Sequence, residues 1–210
     1  MDADLVMPLK PPGAGKSRLR GAVAAHRHAE LVLALACDTL AAVTSVARVR
    51  RVLVVTSDPA ALSELAGLGV ELVAEPAGGG LNEALRHGAE LLRADAPDRV
   101  VGALQADLPA LRAVDLEQAL TEAAGRRAVV FDRQGTGTTL LLSAPGKPLD
   151  PHFGAGSAEL HRASGAIPLT QALPSLRSDV DTEDDLRHAA RLGLGKRTAA
   201  LLPAERTQLR

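Results

Sequence analysis

Apolar positions along this chain cluster into short runs, separated by stretches with helical spacing. Residues 4–7 form a brief apolar strand candidate, followed by a Pro/Gly loop over residues 8–15. Helical periodicity begins near Leu19 and returns over residues 29–46. Arg51-Val52-Leu53-Val54-Val55-Thr56 is a β-branched run stopped by Ser57-Asp58-Pro59, the mark of a strand buried on both faces. Residues 60–66 predict a short helix ended by Gly67 and Gly69. Residues 70–74 predict a third strand, and residues 81–93 a helix after the Gly78-Gly79-Gly80 turn. Residues 99–105 predict a fourth strand and residues 114–124 a helix. Residues 128–132 and 138–143 read as paired strands around Gln134-Gly135. Residues 157–164 form a short helix, and Thr182, with Asp184 and Asp185 behind it, starts the last well-marked one.

Strands that alternate with helices imply an α/β fold with right-handed crossovers and a largely parallel sheet. Ligands in such sheets bind beyond the carboxyl ends of the strands. The loop after the first strand, the turn at Glu75 and Asp107 all fall at such ends. The 210 residues suit one domain spanning 1–210, without internal repeat or linker, and the polar tail from about Lys196 is expected to be loose.

Composition removes several classes of function. Apolar residues make up 46%, enough for a sizeable core, yet there is no Trp or Tyr and Phe occurs only at positions 131 and 153. Stacking of single-stranded bases on aromatic rings is therefore not expected. A net charge of −1 with no long basic block gives no support to nucleic-acid or anionic-membrane binding. The lone Cys37 rules out an internal disulfide framework and a multi-cysteine zinc site, and is expected in a helix core. The acidic start lacks a signal-peptide pattern, and no apolar run reaches membrane-spanning length, so a soluble cytoplasmic protein is expected.

Three segments carry the chemistry. Gly102-Ala103-Leu104-Gln105-Ala106-Asp107-Leu108-Pro109 reads as a buried strand ending on a carboxylate. Ser178-Asp179-Val180-Asp181 places two carboxylates two residues apart, on one side of an extended backbone. If the fold brings them together, three oxygen ligands converge in a hard-cation site suited to Mg²⁺ holding phosphates. Asp107 could equally cap the following helix, and Asp179 with Asp181 could form a solvated acidic turn. Between these segments, Gly135-Thr136-Gly137-Thr138-Thr139 offers backbone N–H groups and hydroxyls to an anion, although both Thr138 and Thr139 also suit a strand.

The loop Lys10-Pro11-Pro12-Gly13-Ala14-Gly15-Lys16-Ser17 is not a P-loop, because Lys10 stands where that motif needs its first glycine. It still joins a strand to a helix and carries Lys10, Lys16 and Arg18, which suits a triphosphate as well as an ordinary basic loop. Glu75 and Asn82 could position a nucleoside; Asn82 could also be a helix N-cap. The glycines of Phe153-Gly154-Ala155-Gly156-Ser157 precede a helix and suit an anion, or a turn capped by Ser157. His161, one turn on, reads as a surface histidine. There is no nucleophile elbow for a serine hydrolase and no dinucleotide-binding glycine fingerprint.

Taken in order, Pro8-Leu9-Lys10, Gly15-Lys16-Ser17-Arg18-Leu19, Gly80-Leu81-Asn82, Leu104-Gln105-Ala106-Asp107-Leu108-Pro109, Gly135-Thr136-Gly137-Thr138-Thr139, Phe153-Gly154 with Gly156-Ser157, and Asp179-Val180-Asp181-Thr182 resemble one family. It is the 2-phospho-L-lactate or phosphoenolpyruvate guanylyltransferases of deazaflavin cofactor biosynthesis. The one departure is Gly15, where the family pattern carries alanine. The resemblance implies a nucleotidyltransferase fold like that of nucleotide-diphospho-sugar transferases, a Rossmann-like α/β/α sandwich. It implies that Asp107, Asp179 and Asp181 hold Mg²⁺, and that Thr139, Gly154 and Ser157 bind the phosphorylated three-carbon acid. Lys10, Lys16 and Arg18 would serve the GTP triphosphate and the reaction, with Glu75 and Asn82 near the nucleoside. The expected partner is the downstream transferase that takes the product. The Ala/Arg-rich composition suggests an actinobacterial-like source, and for such a source the resemblance favours phosphoenolpyruvate as acceptor over 2-phospho-L-lactate or a phosphoglycerate. Sugar-phosphate and molybdenum-cofactor nucleotidyltransferases fit less well, because a Gly-Gly-rich loop is missing after the first strand. A non-catalytic nucleotide-binding regulator is the reading from another class.

Overall fold

A computed structural model describes residues 1–11, 16–19 and 21–202. Pro12 to Gly15 of the basic loop therefore lie outside the described residues, as does the side chain of Ser17.

Seven strands form one sheet in the order β3-β2-β1-β4-β6-β5-β7. They are β1 (Ala3–Pro8), β2 (Val49–Thr56), β3 (Glu71–Ala74), β4 (Val100–Leu104), β5 (Ala128–Phe131), β6 (Thr138–Leu142) and β7 (Ile167–Pro168). The pairings are parallel except at β6, which runs antiparallel to both β4 and β5. That reversal follows from the tight turn after Phe131, which leaves no room for a helical crossover.

Side chains alternate across the sheet as the pleat requires. Leu5, Met7, Val52 and Val54 point into one core with Cys37, Leu40 and Val43 of α1 (His28–Thr44) and with Leu116 and Leu120 of α3 (Ala113–Ala123). Val6, Leu53, Val55, Val101 and Ala103 point to the other face, against Ala84, Leu85, Ala89 and Leu92 of α2 (Gly80–Asp95). Helices on both faces make the three-layer α/β/α arrangement the sequence implies. Cys37 lies in a helix core, 1% exposed. Gly88 lets α2 lie close to the sheet: a Cβ there would stand 2.5 Å from Val6 and 2.8 Å from Val55.

Among the described residues after β6, the helices are α4 (Ser157–Ala163), α5 (Glu183–Leu192) and α6 (Lys196–Leu201). Thr182 caps α5 in a reciprocal capping box with Asp185. The expectation of a loose tail from Lys196 is corrected as far as Leu202. Asp38 of α1 accepts from the N–H groups of Arg197 and Thr198 at 3.1 and 2.7 Å, satisfying the first turn of α6. Leu201 and Leu202 then bury against Leu31, Leu35 and Val180. The signal lay in a carboxylate distant in sequence, which local polarity does not reveal.

Candidate active site

The order of the sheet reverses at β1, which neighbours both β2 and β4. Outside the carboxyl ends of these strands lies a cavity of about 670 Å³, where the topology of open α/β sheets places ligands. Its wall contains all three basic residues singled out in the sequence, Lys10, Lys16 and Arg18, together with Glu75, Asp107 and Asp181. Gln105 also lines it, as do Gly80, Leu81 and Ala84 from the first turns of α2.

Asp107 is set firmly. Its carbonyl accepts from Val180 N–H at 3.0 Å, and the next residue, Leu108, donates its N–H to the buried Thr39 hydroxyl at 2.9 Å. Gln105 N–H donates to Thr139 C=O at 2.9 Å, tying the end of β4 to β6. The Asp107 carboxylate caps no helix; α3 begins after Arg112. Its Oδ2 accepts from the Lys16 ammonium, and its Oδ1 is buried without a hydrogen-bond partner. The same ammonium donates to Asp181 Oδ1 at 2.5 Å. Lys16 reaches this point with a left-handed backbone, φ +58°, a conformation that costs a non-glycine residue energy.

The electrostatics are those of crowded carboxylates. Burial, then repulsion from Asp107, Asp181 and Asp132, pushes the Asp179 carboxyl up to about 7. Burial works against the Lys16 charge, but Asp107 and Asp181 outweigh it and hold the ammonium above the ordinary lysine range. The segment carrying Asp179 and Asp181 is fixed from behind. Asp185 accepts from Thr182 Oγ1 at 2.7 Å and from Arg133 at 2.9 Å, linking the β5–β6 turn to the start of α5. The three aspartates are oxygen donors that suit a hard divalent cation, and the orphaned Asp107 Oδ1 supports that match. As they are positioned, no three His, Cys, Asp or Glu side chains among the described residues are grouped to hold an ion.

The positions expected to bind the acid form a second group. Thr139 is fully buried on β6, its hydroxyl 3.4 Å from the Val130 carbonyl oxygen. Ser157 is the first residue of α4 and buried; Gly156, not Ser157, occupies the cap position. Gly154 sits in the loop before it. This group joins the hairpin through Ala158 N–H, which donates to Thr136 C=O at 3.2 Å. The Gly/Thr turn does not present all its N–H groups to a ligand. Asp132 accepts from Thr136 and Gly137 N–H at 2.9 and 2.8 Å, filling that place with the chain's own carboxylate. A Cβ at position 137 would stand 2.4 Å from Asp132 Oδ2, so a larger residue would displace that carboxylate from the turn. Asn82 is not the N-cap of α2, which is Gly79; its amide pairs with the backbone of Phe153.

The sequence reading missed Asp132, read Asp185 only as an acidic residue at a helix start, and placed His161 at the surface. His161 is fully buried, bonded to Thr138 and to His152 N–H. One signal was available for Asp132: a carboxylate opening a Gly-rich hairpin turn is suited to accept that turn's N–H groups.

The model of the family described as "Guanylyl transferase CofC like" matches residues 3–204. The chain belongs to this family of guanylyl transferases. A phosphoenolpyruvate guanylyltransferase of Streptomyces scabiei (strain 87.22) is 52% identical over 206 residues, covering 95% of each chain. Another, from Thermomonospora curvata, is 51% identical over 199 residues, covering 94% of this chain and 87% of the relative. Among solved structures, a protein of Desulfovibrio desulfuricans G20 described as a nucleotide-diphospho-sugar transferase superimposes with a TM-score of 0.74. It has 20% identity, with 96% of this chain and 94% of that one covered. That likeness carries the fold: a nucleotidyltransferase sandwich. With the family in hand, this is a nucleotidyltransferase enzyme of the deazaflavin-cofactor guanylyltransferases, and the non-catalytic regulator reading falls away. No helix among the described residues is long and apolar enough to cross a membrane.

Proposed function

We propose that this chain transfers the guanylyl group of GTP to phosphoenolpyruvate, with the whole chain working as one nucleotidyltransferase domain. A phosphate oxygen of the acid attacks the α-phosphorus of GTP. The new P–O bond replaces the bond to the β-phosphate bridging oxygen, and pyrophosphate leaves, giving enolpyruvyl-diphospho-guanosine. The observation that carries this reading is the convergence of Lys10, Lys16, Arg18 and Asp107 on one cavity at the sheet's switch point, in a family of guanylyl transferases. The choice of acid rests on relatives about half identical to this chain that are named phosphoenolpyruvate guanylyltransferases; 2-phospho-L-lactate is the alternative acceptor.

The attacking phosphate is anionic at neutral pH, so the site needs no strong general base. It needs two polyanions neutralised and aligned. Lys10, Lys16 and Arg18 bind the triphosphate and stabilise the departing pyrophosphate. Glu75, at the rim of the cavity, lies toward the nucleoside. Thr139, Gly154 and Ser157 hold the acid. Asp107, Asp179 and Asp181 would hold Mg²⁺, which when bound neutralises phosphate charge and orients both substrates. Soluble, cytoplasmic action beside the transferase that consumes the product belongs to the same proposal.

The test is pyrophosphate release from GTP and Mg²⁺ with phosphoenolpyruvate or 2-phospho-L-lactate, each alone, and with ATP replacing GTP. The downstream transferase and its deazaflavin acceptor are included so that an unstable product does not mask turnover. Release with GTP and phosphoenolpyruvate is expected. Release only with 2-phospho-L-lactate reassigns the acceptor, and no release with any pair overturns the reading.

A further inference from the structure

Two side chains from different helices hold consecutive residues of the loop before α4. Asn82, on the first turn of α2, accepts from Phe153 N–H through Oδ1 at 2.7 Å and donates from Nδ2 to Phe153 C=O at 3.0 Å. Both polar ends of its amide are thereby matched to the backbone of one residue. His161, on α4, accepts from His152 N–H through Nε2 at 2.8 Å. A backbone N–H can only donate, so Nε2 carries no proton. The neutral ring then has its proton on Nδ1 and donates to Thr138 Oγ1 at 2.9 Å. The Phe153 ring packs edge-on against His161, with centroids 5.0 Å apart. Directly after these two clamped residues, the N–H groups of Gly154, Ala155 and Gly156 donate no hydrogen bond among the described residues. The loop is therefore held at its start, directly before the turn from Gly154 to Ser157.

We propose that Asn82 is a positioning residue for this acceptor loop and does not read the nucleoside. Its amide fixes Phe153, and through Phe153 the shape of the turn from Gly154 to Ser157 that receives the phosphorylated acid. This inference rests on the guanylyltransferase reading for its substrate. Gly80, Leu81 and Ala84, the neighbours of Asn82 on α2, line the large cavity. One stretch of helix therefore faces the nucleotide cavity and clasps the acceptor loop. Removal of the amide should loosen only the second of these.

The test combines steady-state kinetics with hydrogen exchange on the full chain. Asn82→Ala should raise KM for phosphoenolpyruvate about tenfold, the scale of two lost hydrogen bonds, with KM for GTP unchanged within about twofold. Amide exchange at His152 and Phe153, whose N–H groups are bonded, should accelerate, and exchange over residues 84–92 should not. Asn82→Ser, polar but too short to span both Phe153 groups, should behave as Asn82→Ala does and guards against a variant that misfolds. A rise in KM for GTP with KM for the acid unchanged would overturn the proposal in favour of a nucleoside contact. Unchanged exchange at His152 and Phe153 would also overturn it. If the wild-type chain releases no pyrophosphate with any acid, the guanylyltransferase reading fails. The exchange measurement then decides the clasp alone, faster exchange sustaining it and unchanged exchange removing it.

Discussion

The floor of the cavity and the loop before α4 both depend on buried polar groups, yet they are built on opposite terms. Around Asp107, charges crowd. Asp107 keeps a buried oxygen without a partner, Asp179 is pushed up to about 7, and Lys16 bridges two carboxylates from a left-handed backbone. At the loop, neutral groups are matched one to one: Asn82 to Phe153, and His161 to His152 and Thr138. Unpaired buried charge costs stability and is retained where a ligand will complete it. Paired neutral groups cost little and hold shape. On the proposed function, the floor is where bonds change and the loop is what keeps a substrate in place.

If that contrast is right, damage at the floor should spare folding and abolish turnover. Asp107→Asn is nearly isosteric and removes one of several mutually repelling carboxylates. It is expected to lower kcat/KM by about a thousandfold, with a thermal unfolding midpoint no lower than that of the wild type. Full pyrophosphate release in Asp107→Asn would break the contrast at its stronger end. A large fall in the midpoint would show that Asp107 is structural.

At the loop the expected effect is on stability, and it depends on pH. Burial holds His161 down to about 4 from an ordinary 6.5, with His152 and Arg127 adding to the shift and Asp150 opposing it. A depressed histidine is neutral in the folded chain while its unfolded counterpart takes up a proton. Between about 4 and 6.5 the unfolded state therefore binds more protons, and stability rises with pH. The contribution is complete above about 6.5 and is lost as pH falls toward 4. Urea unfolding at a series of pH values should show this slope, and His161→Gln should flatten it. An equal slope in the variant would mean that other groups carry the dependence.

The two regions were also unequally legible in the sequence. Asp107 and the Asp179-Val180-Asp181 pair could be read because a carboxylate at a strand end, and two on one side of an extended segment, are local patterns. Six of the seven strands were legible for the same reason, as apolar runs bounded by Gly, Pro and Asp; β7 was not. The clasp was not. Asn82 and Phe153 are 71 residues apart, and neither residue type announces the other. His161 looked like a surface residue because α4 is short and its burial depends on the loop folding over it. The fold's one antiparallel strand was legible as a hairpin, but the parallel pairing of β5 with β7 was not marked by any local signal.

Asp132 belongs to both regions and sets the smallest expected effect. It accepts from Thr136 and Gly137 N–H and so shapes the hairpin turn. Its charge also contributes to the repulsion that raises Asp179. Asp132→Ala should therefore move two observables, one in each region. The turn loses its acceptor, which should lower unfolding free energy by about 1 kcal/mol. The floor loses one repelling charge, so the Asp179 carboxyl should titrate at lower pH than in the wild type. Denaturant unfolding reads the first, and carboxyl carbon chemical shifts followed against pH read the second. If stability fell while the titration of Asp179 stayed where it was, Asp132 would belong to the turn alone. The floor and the loop would then be separate, with no charge shared between them.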